Sequence, residues 1–238
     1  MNLSGNDQMD LFKRCHFYGE IILLCIRWYL AYKLSYRDLV AILAERNVDV
    51  AHTTMMRWVQ RYVPAFEKRW QRYARPVGLS WKVDETYLKV RGKWVYLYRA
   101  VDRAGLTVDF FLSEHRDIAA AKCFFAHALE KRGIPEKFTL DGYAASHEAV
   151  GELQREERLP VGLKVRTSKY LNNLIAQDHR RMKQRVRPML GFKDFEYVAI
   201  SISGIELVHQ IKKEQFDLST LCPAHIRTPQ VWEAVLAA

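Results

Sequence analysis

A change in hydrophobic periodicity at residues 75–78 constrains the fold of this chain more than any other feature. Before it, from Tyr18 to about Tyr73, apolar residues recur at three-to-four spacing, which predicts amphipathic helices. The segment Arg75-Pro76-Val77-Gly78 breaks that pattern, and alternating, β-branched and aromatic residues follow it. The sequence therefore predicts a flexible segment (1–17), a helical domain (18–75), a linker (76–80) and an α/β domain ending in a helix (81–238).

The order of elements in the second half predicts an α/β fold of the ribonuclease-H-like class. The first three strands should form an antiparallel meander, at Trp81–Val90, Trp94–Asp102 and Leu106–Ser113. Helices and short strands should then alternate, at Asp117–Lys131, Lys137–Leu140, Ser146–Glu157, Leu163–Val165, Leu171–Leu190 and Tyr197–Glu214. Three antiparallel strands followed by helix, strand, helix, strand and helix is the order of that fold.

Within the helical domain, two short helices joined by a turn are typical of a helix-turn-helix DNA-binding motif. Ser35 is a candidate N-cap with Asp38 three residues later, and Thr53 or Thr54 could cap the second helix, Met55–Tyr62. The candidate DNA contacts are Arg37, Thr53, Thr54, Arg57 and Arg61. An ordinary helical hairpin explains the same spacing equally well.

The charge balance indicates an anionic partner. The chain has 37 basic and 27 acidic residues and a net charge of +10, a balance typical of proteins that bind nucleic acid. Residues 166–193 hold eight Lys and Arg and one acidic residue, although a solvated helix face would have the same composition. The four cysteines lack paired spacing, and the apolar run Ile21–Ile26 is too short to span a bilayer. With no signal peptide expected, the prediction is a soluble, cytoplasmic protein.

Two aspartates occupy positions suited to two-metal phosphoryl transfer, in which carboxylates from separate elements converge on paired cations. Asp84 lies in the middle of the first predicted strand, and Asp141 closes a later strand before Gly142. Strand alternation places Glu85 on the opposite face from Asp84, so only one of the two can face the metal ions. A surface Asp84 and a turn-capping Asp141 are the alternatives.

Several motifs together resemble the bacterial insertion-sequence transposases of the IS-six family, over about residues 16–215. The motifs are Trp81-Lys82-Val83-Asp84-Glu85-Thr86-Tyr87, Tyr96-Leu97-Tyr98-Arg99-Ala100-Val101-Asp102, Thr139-Leu140-Asp141-Gly142, Lys169-Tyr170-Leu171-Asn172-Asn173, Gln177-Asp178-His179-Arg180 and Arg187-Pro188-Met189-Leu190-Gly191-Phe192. The resemblance implies a DDE transposase with an RNase H-like, retroviral-integrase-like catalytic domain. It also implies cutting and joining of double-stranded DNA at terminal inverted repeats by a replicative, cointegrate-forming route, with two Mg²⁺ ions (or Mn²⁺) per site, a homodimer or larger synaptic assembly, and association with the nucleoid.

The third catalytic acid of this family is missing from the chain. The resemblance places a Glu directly after Asn172-Asn173-Leu174-Ile175, where this chain has Ala176, with 34 residues between Asp141 and that position. An introduced substitution is preferred to a decayed gene copy as its origin. We expect one metal ion to bind poorly and catalysis to be lost or severely impaired, while DNA binding survives because it depends on Lys and Arg. Asp178 lies about 200° around the helix from Ala176 and should not compensate.

The remaining candidates surround this helix. The resemblance assigns Lys183 to a phosphate beside the metal ions, and Arg180 and Arg187 share its predicted face and should follow the DNA backbone. Lys169, Asn172 and Asn173 could contact terminal nucleotides. Other side chains are expected to have structural roles: solvation for Arg181 and Arg185, packing or a phosphate contact for His179, and core packing for Trp81, Trp94, Tyr96 and Tyr98. The apolar residues of the last predicted helix, Ile202, Ile205, Leu207, Val208 and Ile211, suit either a dimer surface or the core.

Two other functions remain compatible with the sequence. A non-catalytic DNA-binding repressor or transposition inhibitor would need the basic surface but not the acid at position 176. A structure-specific nuclease on the same core would not need the helix-turn-helix.

Overall fold

The computed structural model describes residues 10–168, 173–189, 194–221 and 228–238. Its elements are α1 (Gly19–Ala31), α2 (Tyr36–Ala44), α3 (His52–Gln71), β1 (Ser80–Val90), β2 (Lys93–Val101), β3 (Thr107–Ser113), α4 (Ile118–Arg132), β4 (Lys137–Leu140), α5 (Ala144–Arg155), β5 (Lys164–Thr167), α6 (Asn173–Val186), α7 (Phe195–Lys212) and α8 (Thr228–Ala237). Short 3-10 turns cover Asp10–Phe12 and Arg187–Met189.

The described residues form two compact units. The helical unit takes those within 1–75, 185–190 and 196–238, and the sheet unit takes those within 76–184 and 191–195. The C-terminal residues thus differ from the predicted boundary, which assigned everything after residue 80 to the α/β domain. The physical reason is apolar packing between the C-terminal helix and α3: Trp232 of α8 packs edge-on against Phe66 and Trp70 of α3.

Local signals explain where α2 and α3 begin and end. Ser35 accepts a hydrogen bond from the Asp38 amide, and the Asp38 carboxylate accepts one from the Ser35 amide, which is the predicted capping box. The helix α3 is much longer than the predicted Met55–Tyr62, because its apolar spacing continues past Pro64. Its buried face consists of Met55, Trp58, Val59, Tyr62, Val63, Phe66 and Trp70. Ala51 is its N-cap residue, so neither Thr53 nor Thr54 caps it.

The apolar residues of α7 belong to the core of the helical unit. Val198, Ile202 and Leu207 are buried. At Gly204 the helix comes so close to α1 that an added Cβ would lie 2.7 Å from Leu30 Cδ2. Close packing of this kind leaves no room for a larger residue. Of the two roles predicted for this helix, the structure supports core packing.

The sheet unit has the predicted ribonuclease-H-like fold. Its five strands are ordered β3-β2-β1-β4-β5, with β1–β2 and β2–β3 antiparallel and β1–β4 and β4–β5 parallel. Asp117 caps α4 by accepting from the Ala120 amide at 2.8 Å, and Gly133 ends that helix with a φ of 80°. These are the positions at which the sequence predicts the helix to begin and end.

The two faces of this sheet differ in chemistry. Trp81 and Val83 of β1 and Phe138 and Leu140 of β4 point into an apolar core that also contains residues of α4 and α5. The residues between them in the sequence occupy the other face, because successive side chains alternate along a strand. Those residues are Lys82 and Asp84 on β1 and Thr139 and Asp141 on and after β4.

Among the described residues, no helix is both long enough and apolar enough to cross a bilayer.

Candidate active site

The register of β1 and β4 places Asp84 beside Asp141. The parallel ladder pairs Lys82 with Thr139, and each aspartate lies two residues further along its own strand direction. The two positions are therefore level, on the same face of the sheet, and about 5 Å apart in the direction between strands. The structure therefore brings together the two aspartates that the sequence predicts as site residues.

The electrostatic environment of Asp84 agrees with this proximity. Burial, and after it the negative charge of Asp141, raises the pKa of Asp84 to about 6. Each carboxylate is also oriented by a backbone amide, since Oδ1 of Asp84 accepts from the Glu85 N–H and Oδ1 of Asp141 from the Tyr143 N–H, both at 3.0 Å. Two oriented, closely spaced carboxylates with excess negative charge suit a hard divalent cation.

The helix α6 contacts Asp84 through one side chain. Its His179 has Nδ1 3.5 Å from Oδ2 of Asp84. Burial lowers the pKa of His179 to about 3, so the ring is neutral at physiological pH. Ala176 is one turn earlier on α6 and is exposed. At about 100° per residue, position 176 lies within about 60° of His179 around the helix, and a carboxylate there would point to the same side.

Asp178 forms a buried ion pair with Arg99. Its carboxylate is 3.5 Å from Nη1 of Arg99, and the two side chains are 6% and 1% exposed. Arg99 lies opposite Asp84 in the β1–β2 ladder, so the pair fixes α6 on the sheet beside the aspartates. Asp178 thus balances the charge of a buried arginine.

A cluster of Glu85, Arg116 and Tyr143 connects the two aspartate-bearing segments. Arg116 donates from Nε to Oε1 of Glu85 at 2.8 Å, and its guanidinium carbon is 3.9 Å from the centroid of the Tyr143 ring. The Tyr143 hydroxyl donates to the Arg116 carbonyl at 2.7 Å. Glu85 and Tyr143 are the residues whose amides orient Asp84 and Asp141, so Arg116 links both carboxylates. We call these three residues the clamp.

Lys183 contacts an exposed aromatic pair at the far end of β1. Its Nζ is 4.1 Å from the centroid of the Tyr87 ring, a cation–π geometry, and Tyr87 packs edge-on against Trp94 at 4.9 Å. Trp94 is 52% exposed, so the prediction that it belongs to the core is wrong. It lies at the start of β2, where Lys93 is exposed as well. Trp81 and Tyr98 are buried as predicted, and Tyr96 is half-buried.

The other predicted contacts are divided between the two units. Arg180 is exposed on α6, whereas Arg187 is exposed in the 3-10 turn that belongs to the helical unit. Arg37, Thr53, Arg57 and Arg61 are exposed on the helical unit, and Thr54 is half-buried there. Lys169, Asn172 and the side chain of Asn173 lie outside the described residues.

Arg185 contradicts the expectation of a solvated side chain. It is 6% exposed, donates from Nε to the Leu30 carbonyl at 3.0 Å, and stacks 5.6 Å from the Tyr29 ring centroid. Arg185 and Leu30 are 155 residues apart in the sequence, so no local pattern predicts this contact.

The comparisons with known proteins identify the family. A family model described as a DDE domain, of the IS240 transposase type, matches residues 78–215. A transposase of the insertion sequence-like element IS431mec from Staphylococcus aureus is 36% identical over 206 residues, which are 87% of this chain and 90% of that protein. The Staphylococcus aureus transposase of element IS257 in transposon Tn4003 matches with the same identity and coverage. The chain belongs to the IS-six family of DDE transposases.

Solved structures with a related arrangement are integrase catalytic cores. The core of BIV integrase is 14% identical, covers 55% of this chain and 83% of its own, and has a TM-score of 0.41. The HTLV-2 integrase core in complex with magnesium is 13% identical, covers 68% of this chain and 98% of its own, and has a TM-score of 0.42.

The donors at this transposase site fit a divalent ion incompletely. Asp84 and Asp141 supply the oxygen ligands that Mg²⁺ prefers, and their mutual repulsion would be relieved by a cation. Among the described residues, however, no group of three or more His, Cys, Asp and Glu side chains has the geometry of a metal site. At position 176, where the sequence resemblance expects a third carboxylate, the chain has a methyl group.

Sequence reasoning missed the clamp and the basic residues that share the face of the aspartates. Arg116 and Tyr143 lie in connecting segments and meet only through the fold, so no periodic signal could reveal them. By contrast, the alternate residues Ser80 and Lys82 before Asp84, and Lys137 and Thr139 before Asp141, are visible as polar rows in the strands. Alternation alone would have placed them on one face.

Proposed function

We propose that this architecture binds terminal inverted repeats and catalyses metal-dependent DNA cleavage and strand transfer, leading to cointegrates by replicative transposition. We further propose that the present chain binds DNA but is inactive or severely impaired because Ala176 replaces the third carboxylate. The observation that supports both is the pairing of Asp84 with Asp141 beside the helix face that carries position 176.

Each group near this pair has a chemical task in the proposal. Asp84 and Asp141 would hold Mg²⁺ or Mn²⁺, which would polarise the scissile phosphate and stabilise both the attacking and the leaving oxygen. Lys183 lies two helical turns after position 176 on the same side of α6 and carries a positive charge that suits a DNA phosphate. His179 is neutral and buried, so it fills the space between α6 and β1 without adding charge.

DNA binding in this proposal rests on both units. The exposed side chains of Thr53, Arg57 and Arg61 recur every four residues along α3, opposite its buried face. The connection between α2 and α3, residues 45–51, is longer than the roughly three-to-four-residue turn typical of a helix-turn-helix. We therefore propose a helix-turn-helix variant in which α3 approaches the terminal repeat. Joining two element ends requires two active sites, so a homodimer or a larger synaptic assembly is part of the proposal.

The experiment compares three chains in a strand-transfer assay on terminal-repeat DNA: the parent, Ala176→Glu and Ala176→Gln. A restored metal ligand stabilises the transition state by several kcal/mol, so Ala176→Glu should exceed the parent by about 10³-fold or more. Ala176→Gln has nearly the same size without the charge and should remain near the parent. A parent as active as Ala176→Glu would contradict the proposed role of position 176.

A DNA-binding repressor is the second candidate, and the methyl group at position 176 is the observation that favours it. In that case the site would have lost more than one side chain, and Ala176→Glu would bind terminal repeats without nicking them at any Mg²⁺ or Mn²⁺ concentration.

A further inference from the structure

The sheet face that carries Asp84 and Asp141 continues into a basic groove. A cavity of about 490 Å³ opens on the sheet unit. The residues that line it are Ser80, Lys82, Arg103, Lys137, Thr139, Arg166 and Ser168. Four of these seven residues are cationic, three carry hydroxyl groups, and none is acidic. We call this cavity the basic groove.

Strand register connects the basic groove directly to the catalytic carboxylates. Ser80 pairs with Lys137 in the first row, and Lys82 pairs with Thr139, which pairs with Arg166, in the second. The next row on the same face contains Asp84 and Asp141. Ser168 stands level with Asp141, since Leu140 pairs with Thr167 and its carbonyl accepts from the Ser168 amide at 2.9 Å.

The spacing of these rows matches the spacing of a nucleic acid backbone. A strand rises about 3.3 Å per residue, so the second and first rows lie roughly 7 and 13 Å from the aspartates. Duplex DNA rises about 3.4 Å per nucleotide along its axis, and because the backbone also winds around that axis, consecutive phosphates of one strand lie about 7 Å apart. A phosphodiester held at the aspartates would therefore bring the phosphates one and two nucleotides away over the cations.

The charge distribution supports the same ligand. Two carboxylates repel the phosphate they must act on, and an adjacent strip of cations offsets that repulsion. Hydroxyl groups and exposed Lys and Arg side chains are the usual partners of phosphate oxygens. Arg103 and Arg166 are exposed, and Lys82 and Lys137 are half-buried, so the groove presents its charge to solvent.

We propose that the basic groove binds the phosphate backbone of the DNA substrate one or two nucleotides from the phosphodiester at Asp84 and Asp141. The inference deepens the proposed function and rests on it. It assigns Lys82, Arg103, Lys137 and Arg166 as backbone contacts that position the DNA without reading its sequence.

The test measures metal-free binding of the full chain to a terminal-repeat duplex at several salt concentrations. Lys137→Ala with Arg166→Ala removes two groove cations. Arg155→Ala with Arg158→Ala is the matched control, because it removes two exposed cations from the end of α5, which packs on the opposite face of the sheet. Thermal unfolding of all three chains establishes that each is folded.

The groove variant should lower the slope of log affinity against log salt by about 2, since each lost phosphate contact lowers it by about 1. The control should leave the slope unchanged. Equal slopes for the groove variant and the control would overturn the inference while leaving the proposed function intact. If the parent itself fails to bind duplex DNA, the proposed function fails as well.

Neutral methylphosphonates, introduced one at a time into the duplex, locate the contact. A methylphosphonate one or two nucleotides from the cleavage position should weaken binding of the parent and of the control. It should weaken binding of the groove variant less, because two of the four groove cations are gone. Equal penalties in the parent and the groove variant would show that the groove contacts no phosphate there and would refute the inference.

Discussion

The two faces of the central sheet use alternate residues of the same strands for opposite purposes. On β4, Phe138 is buried among aromatic rings of Trp81 and Phe125, whereas Thr139 lines the basic groove. On β1, Val83 enters the apolar core and Asp84 faces its neighbouring carboxylate. On each of these strands, a residue that packs in the core is therefore followed directly by one that faces the candidate site or the basic groove, because the pleat turns successive side chains to opposite faces.

The largest expected effect is a loss of folding stability when a side chain of the apolar face is removed. Phe138→Ala should lower the free energy of unfolding by about 3–5 kcal/mol, because it removes a fully buried ring and leaves a cavity. Its neighbour provides the control, and Thr139→Ala should cost less than about 1 kcal/mol, within the range of a single modest hydrogen bond. Urea denaturation of both variants measures the difference. Similar losses would mean that the two faces are not divided in this way.

The second effect concerns the buried ion pair of Arg99 and Asp178, which supports the site face. Asp178→Ala leaves the buried Arg99 guanidinium without its carboxylate and should cost about 3 kcal/mol. Replacing both residues, as Arg99→Met with Asp178→Leu, should recover most of that loss, because no charge is then buried. Chemical denaturation at neutral pH checks both. A double variant as unstable as Asp178→Ala would show that the pair acts by more than charge balance.

The local parts of this organisation could be predicted from the sequence, and the long-range parts could not. The capping pair Ser35 and Asp38, the cap Asp117 and the alternation of β1 are contained in short segments, so propensity and periodicity locate them. The burial of Arg185 depends on the distant Leu30 carbonyl. The assignment of residues 196–238 to the helical unit depends in the same way on α3.

The same distinction between local and long-range features applies to the candidate site. Asp84 and Asp141 could be predicted as site residues because strand positions and motif resemblance point to them, and position 176 follows from that resemblance alone. The clamp could not be identified, because Arg116 precedes α4 in a loop and Tyr143 follows Asp141 in another. Their contact exists only when β1, β4 and the start of α4 are folded together.

The third effect has the opposite sign from the first two. Burial and the charge of Asp141 raise the pKa of Asp84 to about 6 in the folded chain, against 3.8 for an ordinary aspartate. The folded state therefore binds more protons than the unfolded state between these pH values, and stability falls as pH rises through that window. Above about pH 6, Asp84 is ionised in the folded chain as well, and its destabilising effect no longer changes with pH. Asp84→Asn removes the penalty and should stabilise the metal-free protein at pH 7 by on the order of 1–2 kcal/mol.

Thermal unfolding in the presence of a chelator, from pH 4 to pH 7, measures this difference. The gap between Asp84→Asn and the parent should widen with rising pH and level off above about pH 6. A variant that is less stable than the parent at every pH would show that burial and the charge of Asp141 do not destabilise the ionised Asp84 carboxylate.

The smallest effect tests the role of the clamp, which consists of Glu85, Arg116 and Tyr143. Tyr143→Phe, made in the Ala176→Glu background, removes the hydroxyl that donates to the Arg116 carbonyl and loosens the segment holding Asp141. Strand transfer should fall about tenfold, at the lower end for groups that orient metal ligands, with DNA affinity unchanged. Rates measured across a Mg²⁺ titration should shift to higher concentrations. Tyr18→Phe, at an exposed tyrosine of the helical unit, is the control and should leave both unchanged.

The central claim is that Asp84, Asp141 and position 176 share one site for paired divalent ions. Crystals of Ala176→Glu soaked in Mn²⁺, examined by anomalous scattering, test it directly. We expect two manganese ions about 3.5–4 Å apart, bound by Asp84, Asp141 and the restored glutamate. In crystals of the parent chain the ion next to position 176 should be weak or absent. Manganese bound elsewhere in Ala176→Glu, with none at Asp84 or Asp141, would contradict the account.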